Sequence, residues 1–155
     1  MADDRQYVTL GVGGETFAAP VENVREVLDL CRITAVPNAP AFLKGMIDVR
    51  GRTVPVVDMR AKLGLPPGEA TPHTRIVVLE MQTGGDTLVI GALTDQVFEV
   101  TSLDERDIEA PPEIGVRWRS EFIHGIGRRK GAFVIVLDLA TLFATEAPAL
   151  RTVAA

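Results

Sequence analysis

Apolar residues along this chain recur with a period of two in short runs broken by glycine, with few helical stripes. The clearest run is FLKGMIDVRGRTVPVVD, Phe42 to Asp58. Ile47 and Val49 alternate with Asp48 and Arg50, and Val54 and Val56 alternate with Thr53 and Pro55. That pattern predicts two strands joined by an Arg-Gly-Arg turn, with Gly51 free to take positive φ. Eighty residues later the pattern returns as FIHGIGRRKGAFVIVLD, Phe122 to Asp138, without a gap. Six of the seventeen positions are identical: Phe42/Phe122, Gly45/Gly125, Gly51/Gly131, Val54/Val134, Val56/Val136 and Asp58/Asp138. We read a diverged duplication; the alternative is that two glycine-turned hairpins simply resemble each other.

The remaining elements follow from local chemistry. Tyr7 to Val12 and Glu15 to Ala19 read as strands turned by Gly13-Gly14. A phosphate loop would need a helix and usually a lysine after the glycines, and neither follows. Pro20 suits a first helical position, and Val21, Val24 and Leu28 share one face, so Val21 to Asp29 is predicted helical. Ile33 to Val36 reads as a brief strand, and Pro37 to Phe42 as a proline-stiffened loop. Met59 to Leu63 is a short helix ended by Gly64. Pro66 to His73 is a linker, which puts a subdomain boundary near 65–74. Strands are expected at Arg75 to Met81, Thr87 to Leu93 and Asp95 to Val100, then a capping box at Ser102 and Glu105. Leu139 to Ala147 reads as a helix, with 144–155 as a flexible tail. About ten short, evenly spaced strands predict a mainly β fold of two small five-stranded barrels, a single domain over 7–143.

Composition narrows the function. The formal charge is −5, against a nucleic-acid face. One cysteine, Cys31, excludes an intrachain disulfide and reads as a small apolar filler. No apolar run approaches a membrane span, and MADDRQ is no signal peptide, so a cytoplasmic location is expected. Chemistry is sparse. His73 and His124 are not spaced as metal ligands, and no serine sits in a nucleophile elbow, so no enzyme, metal or cofactor is expected. Asp58 and Asp138 resemble a carboxylate dyad, but an aspartate at a strand-to-helix junction is more simply an N-cap. Arg117, Arg119, Arg128, Arg129 and Lys130 surround Trp118, either as a solvated rim or as a protein contact.

GMIDVRGRTVPVVDMRAKLG, with PNAPAFLKG before it and AAPVENVREVL upstream, resembles the signature of the CheW family of chemotaxis coupling proteins. The resemblance runs from about Tyr7 to Phe143. Asp48 stands where the family usually has asparagine, placed to pair with Arg50. The resemblance implies two five-stranded barrels on a shared core and no enzymatic activity. It implies an adaptor that joins a CheA-type histidine kinase, through its regulatory domain, to chemoreceptor tips, and that packs with other CheW-like domains in rings.

By the same resemblance, Arg50 and Gly45 correspond to receptor-coupling positions. Val24 and Glu26 fall on the first barrel's partner-facing segment. Gly91, Val97 and Val100 fall on the second barrel's side of the groove. Arg50 suits an exposed fork for carboxylates, and Gly45 a close backbone approach. Val97 and Val100 read equally as core. Three readings stay open: a chemotaxis adaptor, the same adaptor in a related motility or gene-control pathway, and a small β-barrel enzyme or ligand-binding protein. A kinase fragment of the same fold is a further option, which the Met1 start and short length disfavour.

Overall fold

The computed structural model describes residues 4–110 and 122–154. Among the described residues, ten strands form two five-stranded sheets. They are β1 (Asp4–Val12), β2 (Glu15–Pro20), β3 (Val24–Asp29), β4 (Leu43–Val49), β5 (Arg52–Asp58), β6 (Arg75–Thr83), β7 (Asp86–Thr94), β8 (Gln96–Asp104), β9 (Ile123–Arg129) and β10 (Ala132–Leu137). The described residues also hold three short α-helices: α1 (Met59–Lys62), α2 (Leu139–Phe143) and α3 (Ala147–Ala154).

The sheet orders are β8-β1-β2-β10-β9 and β3-β6-β7-β5-β4. We call them the terminal and the central barrel, after their place in the chain. One isolated backbone bridge closes each: Thr34 to Met46 in the central barrel, Glu109 to Ile126 in the terminal one. The two orders match strand for strand if β1–β5 are laid on β6–β10. The duplication expected from the two hairpins is therefore visible in the topology. The repeat halves and the barrels nevertheless do not coincide. β1 and β2 join β8–β10, whereas β3–β5 join β6 and β7. The linker at 66–73 connects β5 to β6 inside one barrel, so it divides the repeats but not the barrels. The chain changes barrel at Val21–Asn23 and at Asp95.

Period-two alternation sorts the apolar residues onto two faces. One face of each barrel feeds a shared core: Val8, Leu10, Val12 and Phe17 meet Leu79, Met81, Leu88 and Ile90, with Leu142, Phe143 and Leu150 from the helices. The other face fills each barrel separately. Tyr7, Ala18, Leu103, Val134 and Val136 fill the terminal barrel; Ile47, Val54, Val56 and Ile76 fill the central one. This explains Val54 to Val57, buried on both faces. Pro55 is tolerated there because pairing of β5 with β7 begins only at Val56.

Several local expectations hold. Asp58 Oδ1 accepts from the Arg60 N–H at 3.0 Å and Asp138 Oδ1 from the Thr141 N–H at 3.2 Å, so both are N-caps. Gly64 follows α1 with φ of 72°. Other expectations are corrected. Only Val21–Asn23 turns helically, as a single 3₁₀ turn, and Val24–Asp29 is a strand paired with β6. Pairing with a buried β-rich neighbour overrides the helical spacing of Val21, Val24 and Leu28. The strand at Ile33 to Val36 shrinks to the one bridge at Thr34. Ser102 caps nothing, because β8 runs on to Asp104. That aspartate, accepting from the Arg106 N–H at 2.9 Å, caps a 3₁₀ turn at Glu105–Asp107. The helix expected to reach Ala147 ends at Phe143. The segment 144–155 carries α3, with Ala147 and Leu150 each 1% exposed. Cys31 is exposed beyond the end of β3, not a core filler.

Candidate functional site

The site is built on the β4–β5 turn. Arg50 and Gly51 take φ of 50° and 83°, the mirror-image hairpin turn whose twist matches the strands. Positive φ costs energy at an arginine, and Asp48 offsets it: its Oδ1 accepts from the Gly51 N–H at 2.7 Å. Asp48 therefore serves the turn and does not pair with Arg50. On the terminal barrel, the duplicate turn has Lys130 at 54° and Gly131 at 80°.

The turn projects Arg50 toward β3. Its Nη1 donates to Glu26 Oε2 at 2.6 Å and its Nη2 to Glu26 Oε1 at 3.1 Å. The Arg50 side chain is 78% exposed and that of Glu26 22%. The fork is thus occupied by a carboxylate of its own chain, yet open to solvent. Exposed pairs are worth about 0–1 kcal/mol, so an outside carboxylate could exchange with Glu26 at little cost. The pair lies in an open groove of about 730 Å³ that also holds Arg25, Arg52, Glu80 and Arg151. Arg25 pairs with Glu80 at 3.2 Å. Four arginines against two glutamates make the groove cationic on a chain of charge −5.

The seven positions named from the resemblance divide. Glu26 and Arg50 touch. Val24, on the same strand as Glu26, packs against the shared core. Gly45 and Gly91 are buried in the central barrel. Gly91 was expected on the second barrel's side; β7 instead carries it between β6 and β5, because the repeat halves exchange strands. A Cβ on Gly91 would meet Ile76 Cγ2 at 2.8 Å. Val97 and Val100 sit on β8, in the terminal barrel. Their two readings separate: Val97 packs on the core, while Val100 is 57% exposed beside Phe98 at 50% on an edge strand.

Sequence reading missed the partner of Arg50, and missed Arg151, which reaches the groove from α3. It also missed a counterpart on the terminal barrel, where Glu99 pairs with Arg129 at 3.3 Å and Lys130 at 3.7 Å. The alignment of Arg50 with Lys130 was the available signal. Arg128 stacks 4.9 Å from the Phe133 ring centre. Arg117, Trp118 and Arg119 lie outside the described residues. His124 pairs with Glu105, which also accepts from the Tyr7 hydroxyl at 3.5 Å. Burial first, then Glu105, pushes the Tyr7 phenol up from its usual value. Among the described residues no cluster of histidine, cysteine and carboxylates could hold a metal ion. No described helix is long and apolar enough to cross a membrane.

Comparison with known proteins gives one answer along the chain. The CheW-like domain family matches residues 6–147. The chemotaxis protein CheW of Rhizobium meliloti is 30% identical over 142 residues, covering 92% of this chain and 89% of that one. Protein PilI of Pseudomonas aeruginosa is 30% identical over 127 residues, covering 80% and 67%. Among solved structures, the scaffolding protein TtCheW of Thermoanaerobacter tengcongensis superposes with a TM-score of 0.80 at 29% identity, covering 92% of this chain and 88% of that one.

Proposed function

The chain belongs to the CheW-like domain family, and from that premise we propose how it works as a chemotaxis coupling adaptor. It is a non-enzymatic body that joins a CheA-type histidine kinase, through the kinase's regulatory domain, to the cytoplasmic tips of chemoreceptors. It takes no cofactor. It works in the cytoplasm and reaches the membrane only through the receptor array. The observation that carries this reading is the placement of two exposed surfaces on one packed core. The Arg50–Glu26 turn lies on the central barrel and the Val100 edge strand on the terminal one.

The mechanism is geometric. Each surface binds weakly by itself. Because the shared core fixes both in space, the second contact forms at an effective concentration set by the first, and the assembly is tighter than either contact. Arg50 is the residue we assign to receptor carboxylates, with Glu26 holding its fork in register until a partner arrives. Val100 is assigned to the kinase-side or ring contact. Val24, Gly45, Gly91 and Val97 act from behind, by shaping the strands that present these two.

Two titrations test this, one against the kinase regulatory domain and one against a receptor-tip hairpin from the same genome. Binding to both without mutual exclusion is expected. Arg50→Glu should leave the circular dichroism and melting curve unchanged and weaken receptor binding by about tenfold or more. Unchanged receptor affinity in the folded variant would remove Arg50 from this role.

A further inference from the structure

A charged side chain sits inside the contact between the barrels. The side chain of Lys62, on α1, is only 7% exposed. Its Nζ lies 5.8 Å from the Phe42 ring centre, 5.5 Å from Phe122 and 5.8 Å from Phe143. It donates to Glu146 Oε1 at 2.6 Å. The other oxygen, Oε2, is buried with no hydrogen-bond partner among the described residues. Rings on three sides and a carboxylate on the fourth satisfy the cation, while the carboxylate stays half-satisfied.

The duplication shows that the fold does not require this charge. Phe42 and Phe122 are equivalent in the two halves, and the residue equivalent to Lys62, four past Asp138, is Leu142, buried at 1% exposure. An apolar residue serves that place in one half. A buried ion pair adds little stability over an apolar pair of the same size, but losing one partner is costly. Such a pair is suited to holding something in register.

Glu146 immediately precedes α3, and its carbonyl accepts the Leu150 N–H at 3.0 Å. With eight residues, α3 is too short to persist undocked. Beyond Glu146 it is held by Ala147 and Leu150 in the core. Arg151 Nη2 adds bonds to the Thr83 carbonyl at 2.6 Å and the Asp86 carbonyl at 3.1 Å. Arg151 and Ala154 then form part of the wall of the groove that holds Arg50.

We propose that Lys62 and Glu146, inside the three-phenylalanine cage, are a latch for the C-terminal helix. With the latch closed, α3 is docked and the groove has this wall. With it open, α3 leaves while both barrels stay folded. Only the consequence for a partner in that groove rests on the coupling role assigned to Arg50; the latch itself does not.

Hydrogen exchange read by mass spectrometry on the full chain tests it. Lys62→Met keeps the apolar reach and removes the cation, leaving the Glu146 carboxylate uncompensated. Amides of residues 150–154 should then exchange about tenfold faster or more, with β1 and β2, which α3 does not pack on, unchanged. Lys62→Met with Glu146→Leu makes the site apolar and should restore protection. Trypsin cleavage after Arg151 should accelerate in the single variant and return to the parent rate in the double. Should Lys62→Met fail to fold, Glu146→Gln leaves the cage intact and carries the same readout. Unchanged α3 protection in the single variant overturns the latch. So does a loss shared by β1 and β2, which would make Lys62 ordinary core, or a double variant no better protected than the single. No binding partner enters these measurements, so they fail or succeed independently of the coupling function.

Discussion

A methyl group on Gly45 would stand 2.2 Å from the Thr34 carbonyl oxygen, and its duplicate on Gly125 would stand 2.7 Å from that of Glu109. These are the two places where the closing bridge of each barrel passes over the adjacent strand. Gly45 is therefore required by barrel closure, and any effect on coupling travels through the strand it belongs to. Gly45→Ala should destabilise the protein by roughly 3 kcal/mol in urea titration, since backbone cannot yield. Gly91→Ala, where the obstruction at 2.8 Å is the branch methyl of Ile76 and not backbone, should cost less, about 1–2 kcal/mol. Equal losses would mean that the Thr34 bridge is not the constraint. At this scale much was legible in the sequence: the turn at Arg50-Gly51, the caps at Asp58 and Asp138, the need for glycine at 45. Glu26 as the partner of Arg50 was not, because 24 residues separate them and only the fold brings β3 beside the turn.

Elements were legible where one local rule decides them and misread where two rules compete. The glycine turns have no rival reading. Val24–Asp29 had one, since Pro20 and a spacing of three and four residues imitate a helix start. Its β character comes from β6, about fifty positions away. Asp104 shows the same competition at the end of β8. The Arg106 guanidinium, and after it the Arg106 backbone N–H, lower its carboxyl from 3.8 to about 2. A depressed carboxyl stabilises the folded form above its unfolded value. That contribution is therefore complete above pH 3.8 and disappears as pH falls through about 2. An NMR titration should place the Asp104 midpoint near 2, returning toward 3.8 in Arg106→Ala. A midpoint near 3.8 in the parent protein would show that the cap does not form in solution.

For the whole molecule, two barrels were legible in the strand count and the repeat, but the exchange of strands between halves was not. It is carried by the parallel pairings of β2 with β10 and of β5 with β7, which leave no local trace. The exchange predicts what cutting the chain does. A break in the 66–73 linker separates β5 from β7 and β2 from β10. Each fragment alone should lack cooperative unfolding, and an equimolar mixture should recover it, as followed by near-ultraviolet circular dichroism and a melting curve. A fragment that folds alone would show that the halves are independent after all.

The exchange also orders events during synthesis. The central barrel is drawn from one unbroken stretch, β3 through β7, nested between the strands of the terminal barrel. On a ribosome the inner barrel can close as soon as Thr94 has emerged. The β1–β2 hairpin, made first, must wait with both edges unpaired until β8 and then β10 arrive. The oldest segment of the nascent chain is thus the last to be enclosed, and its apolar residues Leu10, Val12 and Phe17 are what a chaperone would meet.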